Sequence, residues 1–326
     1  FADSIESKYA FADGFEAGFT HASGNHVMQY AAGQAILYSP FFFIAHMIAA
    51  NSDSWPADGF SYPYQLSLGI GMLLYAMLGL YVLRRVLLHF FPDIVVAVTL
   101  IAIVFATNYL NYAAIDGAMT HNTLFTVYAL LLLFTIKFYK RPALSVALII
   151  GLLAGLATLI RPTEIIAWLI PACWGIAGIR GVGERLRFLV RNIRYPVIAL
   201  LAFGIVVSIQ LIYWKWVAGS WLVYSYQDQG FSFLRPHVIE GLFSYRAGWL
   251  IYTPVMVLSL MGLISLYKFR RELFIGIFLF TVLFTYICFS WDIWWYGGSL
   301  GQRAMIQAYP VLAFPLAAFF QRVCSG

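Results

Sequence analysis

Few residues in this chain could carry chemistry, and Asp116, in the mostly apolar segment 108–121, is the first of them. A carboxylate there could bind a divalent cation (Mg²⁺ or Mn²⁺) or accept a proton from a hydroxyl group, with His121 close by in sequence. Asp116 and His121 are therefore candidate catalytic residues, and Asp116 is the candidate metal ligand. The alternative for Asp116 is structural, because Asp and Thr both suit the N-cap of a following helix.

Two arginines are candidate phosphate ligands, because a guanidinium group can bind a phosphate through two parallel hydrogen bonds. Arg161 lies in Arg161-Pro162-Thr163-Glu164, which interrupts a long apolar run, and Arg303 precedes the last apolar run. For Arg161 the alternative is an ion pair with Glu164 that fixes a turn, with Pro162 at the first helical position.

Aromatic and polar residues are concentrated in segments 291–303 and 218–247. Trp294 and Trp295 could line a sugar or lipid site, because their rings combine apolar faces with polar edges. The alternative is the aromatic belt that membrane proteins place at the lipid–water interface. The second segment adds three substrate-binding candidates that could shape an acceptor site: Asp228, His237 and Arg246.

A second possible metal site lies near the N-terminus, where His21 and His26 occur with Asp13 and Glu16. Their spacing matches no strong ligand pattern, so solvated loop residues are the simpler interpretation. The three cysteines show no metal-type spacing and predict no disulfide framework.

Membrane spans must position these residues, because 62% of the 326 residues are hydrophobic and 10% are charged. A soluble domain carries about 25% charged residues. Apolar runs of spanning length lie between the charged loops. We predict an all-α polytopic membrane protein with about nine transmembrane helices, plus interfacial or re-entrant helices on the outer face. The predicted spans are roughly 62–85, 93–111, 121–137, 142–160, 163–180, 195–217, 248–267, 273–290 and 304–321.

Charge divides the loops into two sets, because alternate loops hold 14 of the 20 basic residues but three of the 14 acidic ones. The positive-inside rule makes the face with these basic loops cytoplasmic. The net charge of +6 therefore reflects orientation in the membrane and contact with lipid head groups, and it does not predict nucleic-acid binding. We expect a multi-pass protein of a bacterial inner membrane, with its active face on the periplasmic side.

Residues 1–61 are predicted to form an outer, periplasmic segment, and residues 62–326 the transmembrane domain with its outer loops 218–247 and 291–303. The apolar run 36–50 is short for a span and contains Pro40, which favours an interfacial or re-entrant helix. If this run instead crosses the membrane, the residues before it lie on the opposite side of the membrane from the one assigned here. The run 142–179 is too long for one helix, so Arg161-Pro162 predicts a hairpin that reaches the outer face there.

Several stretches, in order along most of the chain, resemble the GT-C superfamily of membrane glycosyltransferases, in its bacterial branch similar to protein mannosyltransferases. Tyr30, Gly33 and Pro40-Phe41 resemble a conserved segment after that family's first outer loop. Asp116 and its neighbours resemble a short acidic stretch at the outer end of a later span. The other similar stretches are 156–162, 242–249, 252–254 and 298–303.

The resemblance implies transfer of a sugar from a polyprenyl-phosphate donor to an acceptor (protein, lipid or glycan) on the outer face. The family places a key acidic residue directly after its first span. We therefore expect an upstream part with at least one span before Phe1, and Asp3 does not match that position convincingly. Two other classes are weighed against the enzyme: a non-catalytic membrane subunit of a larger complex, and a transporter or lipid flippase. A transporter predicts ionisable residues inside the spans.

Overall fold

The computed structural model describes residues 18–324, which are mostly helical. A π-helix covers Asn111–Ile115, and 3₁₀-helices cover Pro162–Trp168 and Arg303–Ala308. A small antiparallel hairpin pairs β1 (Gly18–Thr20) with β2 (His26–Met28). The α-helices are α1 (Gly33–Ala50), α2 (Tyr62–Leu87), α3 (Asp93–Phe105), α4 (Thr120–Lys140), α5 (Leu144–Ile160), α6 (Leu169–Cys173), α7 (Ile179–Arg191), α8 (Arg194–Ala218), α9 (Val238–Phe243), α10 (Trp249–Tyr252), α11 (Val255–Phe269), α12 (Arg271–Ser290) and α13 (Tyr309–Cys324).

Six helical segments within residues 18–324 are long enough and apolar enough to cross a membrane. Five of them coincide with predicted spans: α2, α4, α8, α12 and the continuous segment Arg303–Cys324. The sixth is α1, an 18-residue helix with Pro40 inside it. An interfacial or re-entrant position for α1 remains a prediction. The chain is thus a helical protein with the spans of a multi-pass membrane protein, and the count of nine is not reproduced.

Proline ends or interrupts helices at two places, one predicted from the sequence and one not. The pyrrolidine ring disfavours helical geometry in the residue before it, and Arg161 is accordingly extended (φ −144°, ψ 124°) between α5 and the 3₁₀-helix that begins at Pro162. The predicted break at Arg161-Pro162 is confirmed. The predicted span 248–267 is interrupted in the same way at Thr253-Pro254, which separates α10 from α11.

The predicted span 93–111 is also shorter than expected, because α3 ends at Phe105. The following polar side chains bind elsewhere: Asn108 donates to the carbonyl of Leu300 at 3.0 Å and accepts the hydroxyl of Tyr309 at 2.7 Å. These bonds hold the chain in an irregular path between α3 and the π-helix, so this stretch connects to loop 291–303 rather than continuing as a span.

The helix α4 and the segment Arg303–Cys324 form the centre of the bundle. In the 18-residue apolar window of each, 72% and 83% of the residues are buried, whereas the corresponding shares in α1 and α8 are 17% and 22%. Around this centre α2 packs on α4, α5 packs on α8, and α11 packs on α13. The peripheral helices therefore present most of their apolar surface outward, as helices facing lipid do.

Loops meet at two ends of the bundle. One end, which we call the basic end, is formed by the loops around Phe90, Trp174 and Arg270. Arg270 donates to the carbonyl of Phe90 at 3.3 Å, and the Phe90 ring contacts those of Trp174 and Phe314. At the other, the aromatic end, segments 106–119, 218–248 and 291–303 are joined by hydrogen bonds such as that of Asn108 to Leu300. The loops that the charge pattern groups as basic are thus in contact with one another.

Gly33 allows α1 to approach the end of α5 closely. A Cβ atom there would lie 2.4 Å from the backbone nitrogen of Ile160 and 2.7 Å from the carbonyl oxygen of Leu159. Because these neighbours are backbone atoms, they cannot move aside as a side chain could. A residue without a side chain is therefore required where α1 supports the turn at Arg161.

We predict that Gly33→Ala destabilises the protein by about 1–3 kcal/mol, the usual cost of overpacking a tight contact. Thermal unfolding in detergent measures the change. The control is Gly69→Ala, since a Cβ atom at Gly69 of α2 meets nothing within 4 Å. An equal loss of stability in both variants would show that the close approach of α1 to α5 is unimportant.

Candidate functional site

A chain of hydrogen-bonded polar side chains lies buried at the aromatic end. Tyr128 of α4 donates its hydroxyl to Glu164 Oε2 at 2.7 Å, and the Gln307 amide donates to Glu164 Oε1 at 2.6 Å. Gln307 Oε1 in turn lies 2.8 Å from His121 Nδ1. All four side chains are at least 96% buried. The chain links α4 with the two 3₁₀-helices that carry Glu164 and Gln307.

These bonds determine which nitrogen of His121 carries a proton. A carboxylate only accepts hydrogen bonds, so the Gln307 nitrogen faces Glu164 and the Gln307 oxygen faces His121. His121 Nδ1 must then be the donor. In a neutral imidazole the other nitrogen, Nε2, is an acceptor, and it makes no hydrogen bond with residues 18–324.

Arg161 lies directly beside this chain. Its Nη1 is 3.4 Å from His121 Nδ1, which is a contact and not a hydrogen bond because both nitrogens carry protons, and its guanidinium carbon is 5.8 Å from the centre of the Tyr296 ring. The predicted ion pair with Glu164 is not formed, although the Glu164 backbone N–H donates to the Arg161 carbonyl at 2.9 Å and Pro162 begins the 3₁₀-helix as expected. The arginine is therefore held by the turn, and its guanidinium group is an electrostatic neighbour of Glu164 without forming an ion pair with it.

Arg303 lies near the same place. Arg161 and Arg303 are both electrostatic neighbours of His121 and of Tyr30. Burial raises the pKa of Tyr30, Tyr226 raises it further, and the two arginines act to lower it. The Nε atom of Arg303 is buried and has no hydrogen-bond partner within residues 18–324. Neither guanidinium group forms an ion pair with a carboxylate in this part of the chain.

Asp116 is separate from the buried chain. It follows the π-helix, is half-buried, and forms no side-chain hydrogen bond or ion pair with residues 18–324. An electrostatic neighbour is Tyr38 of α1, whose hydroxyl donates to the carbonyl of Ala118. The N-cap alternative is wrong, because Met119 is the N-cap of α4 and no side chain caps it. Asp116 and His121 are also not joined by a hydrogen bond, since His121 faces the interior of the bundle.

The described residues hold no group of three His, Cys, Asp or Glu side chains that could bind a metal ion. Asp116 thus offers one carboxylate without further ligands of these types. His21 accepts a hydrogen bond from the Ser23 backbone at 3.1 Å, and His26 is exposed on β2. Asp13 and Glu16, the other members of the possible N-terminal site, lie outside the described residues, as does Asp3.

The two candidate loops chosen from the sequence do come together. The rings of His237 and Trp294 are 6.5 Å apart, and the guanidinium carbon of Arg246 lies 3.8 Å from the centre of the Trp295 ring. Asp292 accepts hydrogen bonds from Ser232 Oγ at 2.6 Å and from the Gly230 N–H at 3.0 Å. Asp228, by contrast, is exposed and makes no side-chain hydrogen bond with residues 18–324.

Sequence reasoning missed the roles of Glu164, Gln307 and Tyr128. Glu164 was considered only as a partner of Arg161, and Gln307 was counted as part of an apolar span. An ionisable or amide side chain inside an apolar run is costly unless it meets a partner. That cost was a usable indication that these residues face one another inside the protein.

We predict that Tyr128→Phe lowers the free energy of unfolding by roughly 1.5–3 kcal/mol, the usual range for a hydrogen bond to a charged group. Tyr286→Phe is the control: Tyr286 is an exposed tyrosine on α12 that donates to the Phe233 carbonyl at 2.6 Å. Loss of this exposed hydrogen bond should lower the free energy of unfolding by less than about 1 kcal/mol. Thermal unfolding of both variants in the same detergent makes the comparison, and equal losses would contradict a charged, buried Glu164.

Comparison of the chain with models of protein families, with curated proteins and with solved structures found no match. The basis for a function is therefore the arrangement at the aromatic end. Two arginines that form no ion pair with a carboxylate of residues 18–324, a buried histidine and a loop cluster of tryptophans lie there together, on a helical protein with the spans of a membrane protein.

Proposed function

We propose that the chain is a membrane glycosyltransferase that moves a sugar from a polyprenyl-phosphate donor to an acceptor at the outer face of a bacterial inner membrane. The convergence of Arg161 and Arg303, without a carboxylate partner among residues 18–324, carries this proposal. Arginine pairs of this kind suit a phosphate group, because each guanidinium offers a planar set of donors.

The surroundings support a phosphate that is attached to a lipid. The Tyr30 and Tyr226 rings are 6.4 Å apart, and the Tyr226 and Trp291 rings are 5.2 Å apart. Aromatic side chains with polar handles are favoured where one side of a ligand is apolar and the other is wet. A polyprenyl phosphate has this character, with a charged head and an apolar tail.

The proposed reaction breaks the bond between the anomeric carbon and the donor phosphate. An acceptor hydroxyl oxygen attacks the anomeric carbon from the opposite side, with inversion, and its proton passes to a carboxylate acting as general base. Polyprenyl phosphate leaves with the bonding electron pair, and the two guanidinium groups stabilise its negative charge. Asp116 is the proposed base, because its carboxylate has no hydrogen-bond or ion-pair partner among residues 18–324. His121 lies beside Arg161 in the buried chain and is not the proposed base.

The loop cluster supplies surfaces for the sugar or the acceptor. Trp294, Trp295, His237 and Arg246 are the proposed contacts, and exposed Asp228 is a proposed contact of a larger acceptor. A divalent cation at Asp116 stays part of the proposal: the carboxylate would hold it together with water or the oxygens of the donor phosphate.

The buried polar chain bears on the transporter alternative. Ionisable residues lie inside the bundle, and such residues occur in transport pathways. Here, however, the carboxylate of Glu164 accepts from Tyr128, Gln307 and Thr163. A fully bonded carboxylate suits a positioning role, which favours the enzyme over the transporter.

Arg161→Gln and Arg303→Gln should each weaken binding of polyprenyl phosphate by about tenfold or more, since each removes a charged hydrogen-bonding partner worth about 1.5–3 kcal/mol. Native mass spectrometry of the purified full chain with added polyprenyl phosphate measures the binding. Arg322→Gln is the control, because Arg322 is exposed at the end of α13, away from the aromatic end. Unchanged binding in both test variants would exclude Arg161 and Arg303 as ligands of the phosphate.

Asp116→Asn should abolish sugar transfer while leaving thermal stability and polyprenyl-phosphate binding unchanged, because an amide cannot accept the acceptor proton. Release of polyprenyl phosphate from a panel of polyprenyl-phosphate-linked sugars measures transfer for each donor. Full activity in Asp116→Asn would exclude this residue as the base. Lack of release by the unaltered protein from every donor, with phosphate binding intact, would favour a non-catalytic subunit.

A further inference from the structure

A feature independent of the aromatic end is α7 (Ile179–Arg191), which lies at the basic end between α6 and α8. None of its 13 residues is buried. The sequence prediction placed the start of this helix at the end of a span and the rest in a loop. It is instead a regular helix, and its side chains fall into three stripes along the helix surface.

The first stripe attaches α7 to the bundle. The guanidinium carbon of Arg185 lies 3.8 Å from the centre of the Tyr139 ring, and its Nη2 donates to the carbonyl of Trp174. One turn further on, the Phe188 ring is 6.2 Å from that of Phe138. These contacts fix the rotation of the helix about its axis, so the other two stripes must face away from the protein.

The second stripe is apolar and uncovered. Its members follow the spacing i, i+3, i+7, i+11 that forms one face of a helix, and they are Ile179, Val182, Leu186 and Val190. Their exposed fractions are 93%, 44%, 58% and 73%. Four large apolar side chains in a row need an apolar environment, which no part of residues 18–324 supplies.

The third stripe is basic. It has the spacing i, i+4, i+7, i+11 and consists of Arg180, Glu184, Arg187 and Arg191, all exposed. None of the three arginines is paired with a carboxylate of residues 18–324. A helix with an apolar stripe beside an arginine-rich one is the pattern of helices that lie in the membrane interface. The basic loops around the helix also favour contact with a membrane surface that carries anionic lipid head groups.

We propose that α7 lies in the interface of the leaflet at the basic end of the bundle, with its apolar stripe in the acyl region and its arginines binding anionic lipid head groups. The three stripes then have three environments: the protein bundle, the lipid chains and the phosphate layer. This proposal does not depend on glycosyl transfer, because α7 is at the opposite end of the molecule from the proposed site.

The first experiment measures the depth of α7 in nanodiscs of phosphatidylcholine and phosphatidylglycerol, using spin labels in a variant with Cys173→Ser and Cys324→Ser. One label is placed by Val190→Cys and the other by Arg187→Cys, on different stripes of one helix. The label at position 190 should be accessible to oxygen and shielded from a water-soluble nickel chelate, and the label at 187 should show the reverse preference. Equal exposure of both labels to the chelate would overturn the proposal. Shielding of the label at 190 from both reagents would also overturn it, in favour of a protein partner.

The second experiment measures phosphatidylglycerol that remains bound to the full chain in native mass spectrometry. The triple variant Arg180→Gln, Arg187→Gln, Arg191→Gln should bind it roughly tenfold to hundredfold more weakly. The control removes three charges from the same end, by Lys140→Gln, Arg141→Gln and Arg322→Gln, and should change binding far less. Equal losses in the two triple variants would show that overall charge, and not α7, attracts the lipid. Thermal unfolding checks that both variants fold.

Discussion

The need to satisfy one buried carboxylate governs the arrangement of this protein. An ionised carboxylate away from water is costly unless donors surround it. Glu164 receives donors from α4, from its own 3₁₀-helix and from the 3₁₀-helix that precedes α13. Meeting those bonds brings the two most buried segments of the bundle together with the turn at Arg161. The position of Arg161, and with it the candidate phosphate site, follows from that requirement.

The irregular helices at the aromatic end also reflect the need of buried polar side chains for hydrogen-bond partners. A π-helix and two 3₁₀-helices replace regular helix where polar side chains must turn toward one another. Such local changes of helix type often mark functional positions. Gly301 contributes here, because it has a positive φ of 62° and its missing Cβ would lie 2.8 Å from that of Tyr252. The loop that carries the tryptophans can therefore pack directly on α10.

The helical class, five of the six long apolar helices and the break at Arg161-Pro162 could be predicted from the sequence, because hydrophobic length and proline are local properties. The candidate loops 218–247 and 291–303 were also correctly identified as polar and aromatic. Their pairing could not be predicted, since Asp292 meets Ser232 across 60 residues of chain. The same is true of Glu164 and Gln307, and of the short helices α3 and α11, whose ends depend on Asn108 and Pro254. Non-local contacts decide those features.

The hydrogen bond between Gln307 and Glu164 has a consequence for how the protein is made. The two residues are 143 positions apart, and His121 is 186 positions from Gln307. A ribosome adds about 5–20 residues per second, so Glu164 is synthesised roughly 7–29 s before its amide partner exists. Until the last helix is synthesised, the carboxylate has Tyr128 and Thr163 as donors but lacks the Gln307 amide, and the histidine lacks its partner. Arrival of the final segment completes the bundle, and a chain that stops short of it leaves both groups incompletely hydrogen-bonded.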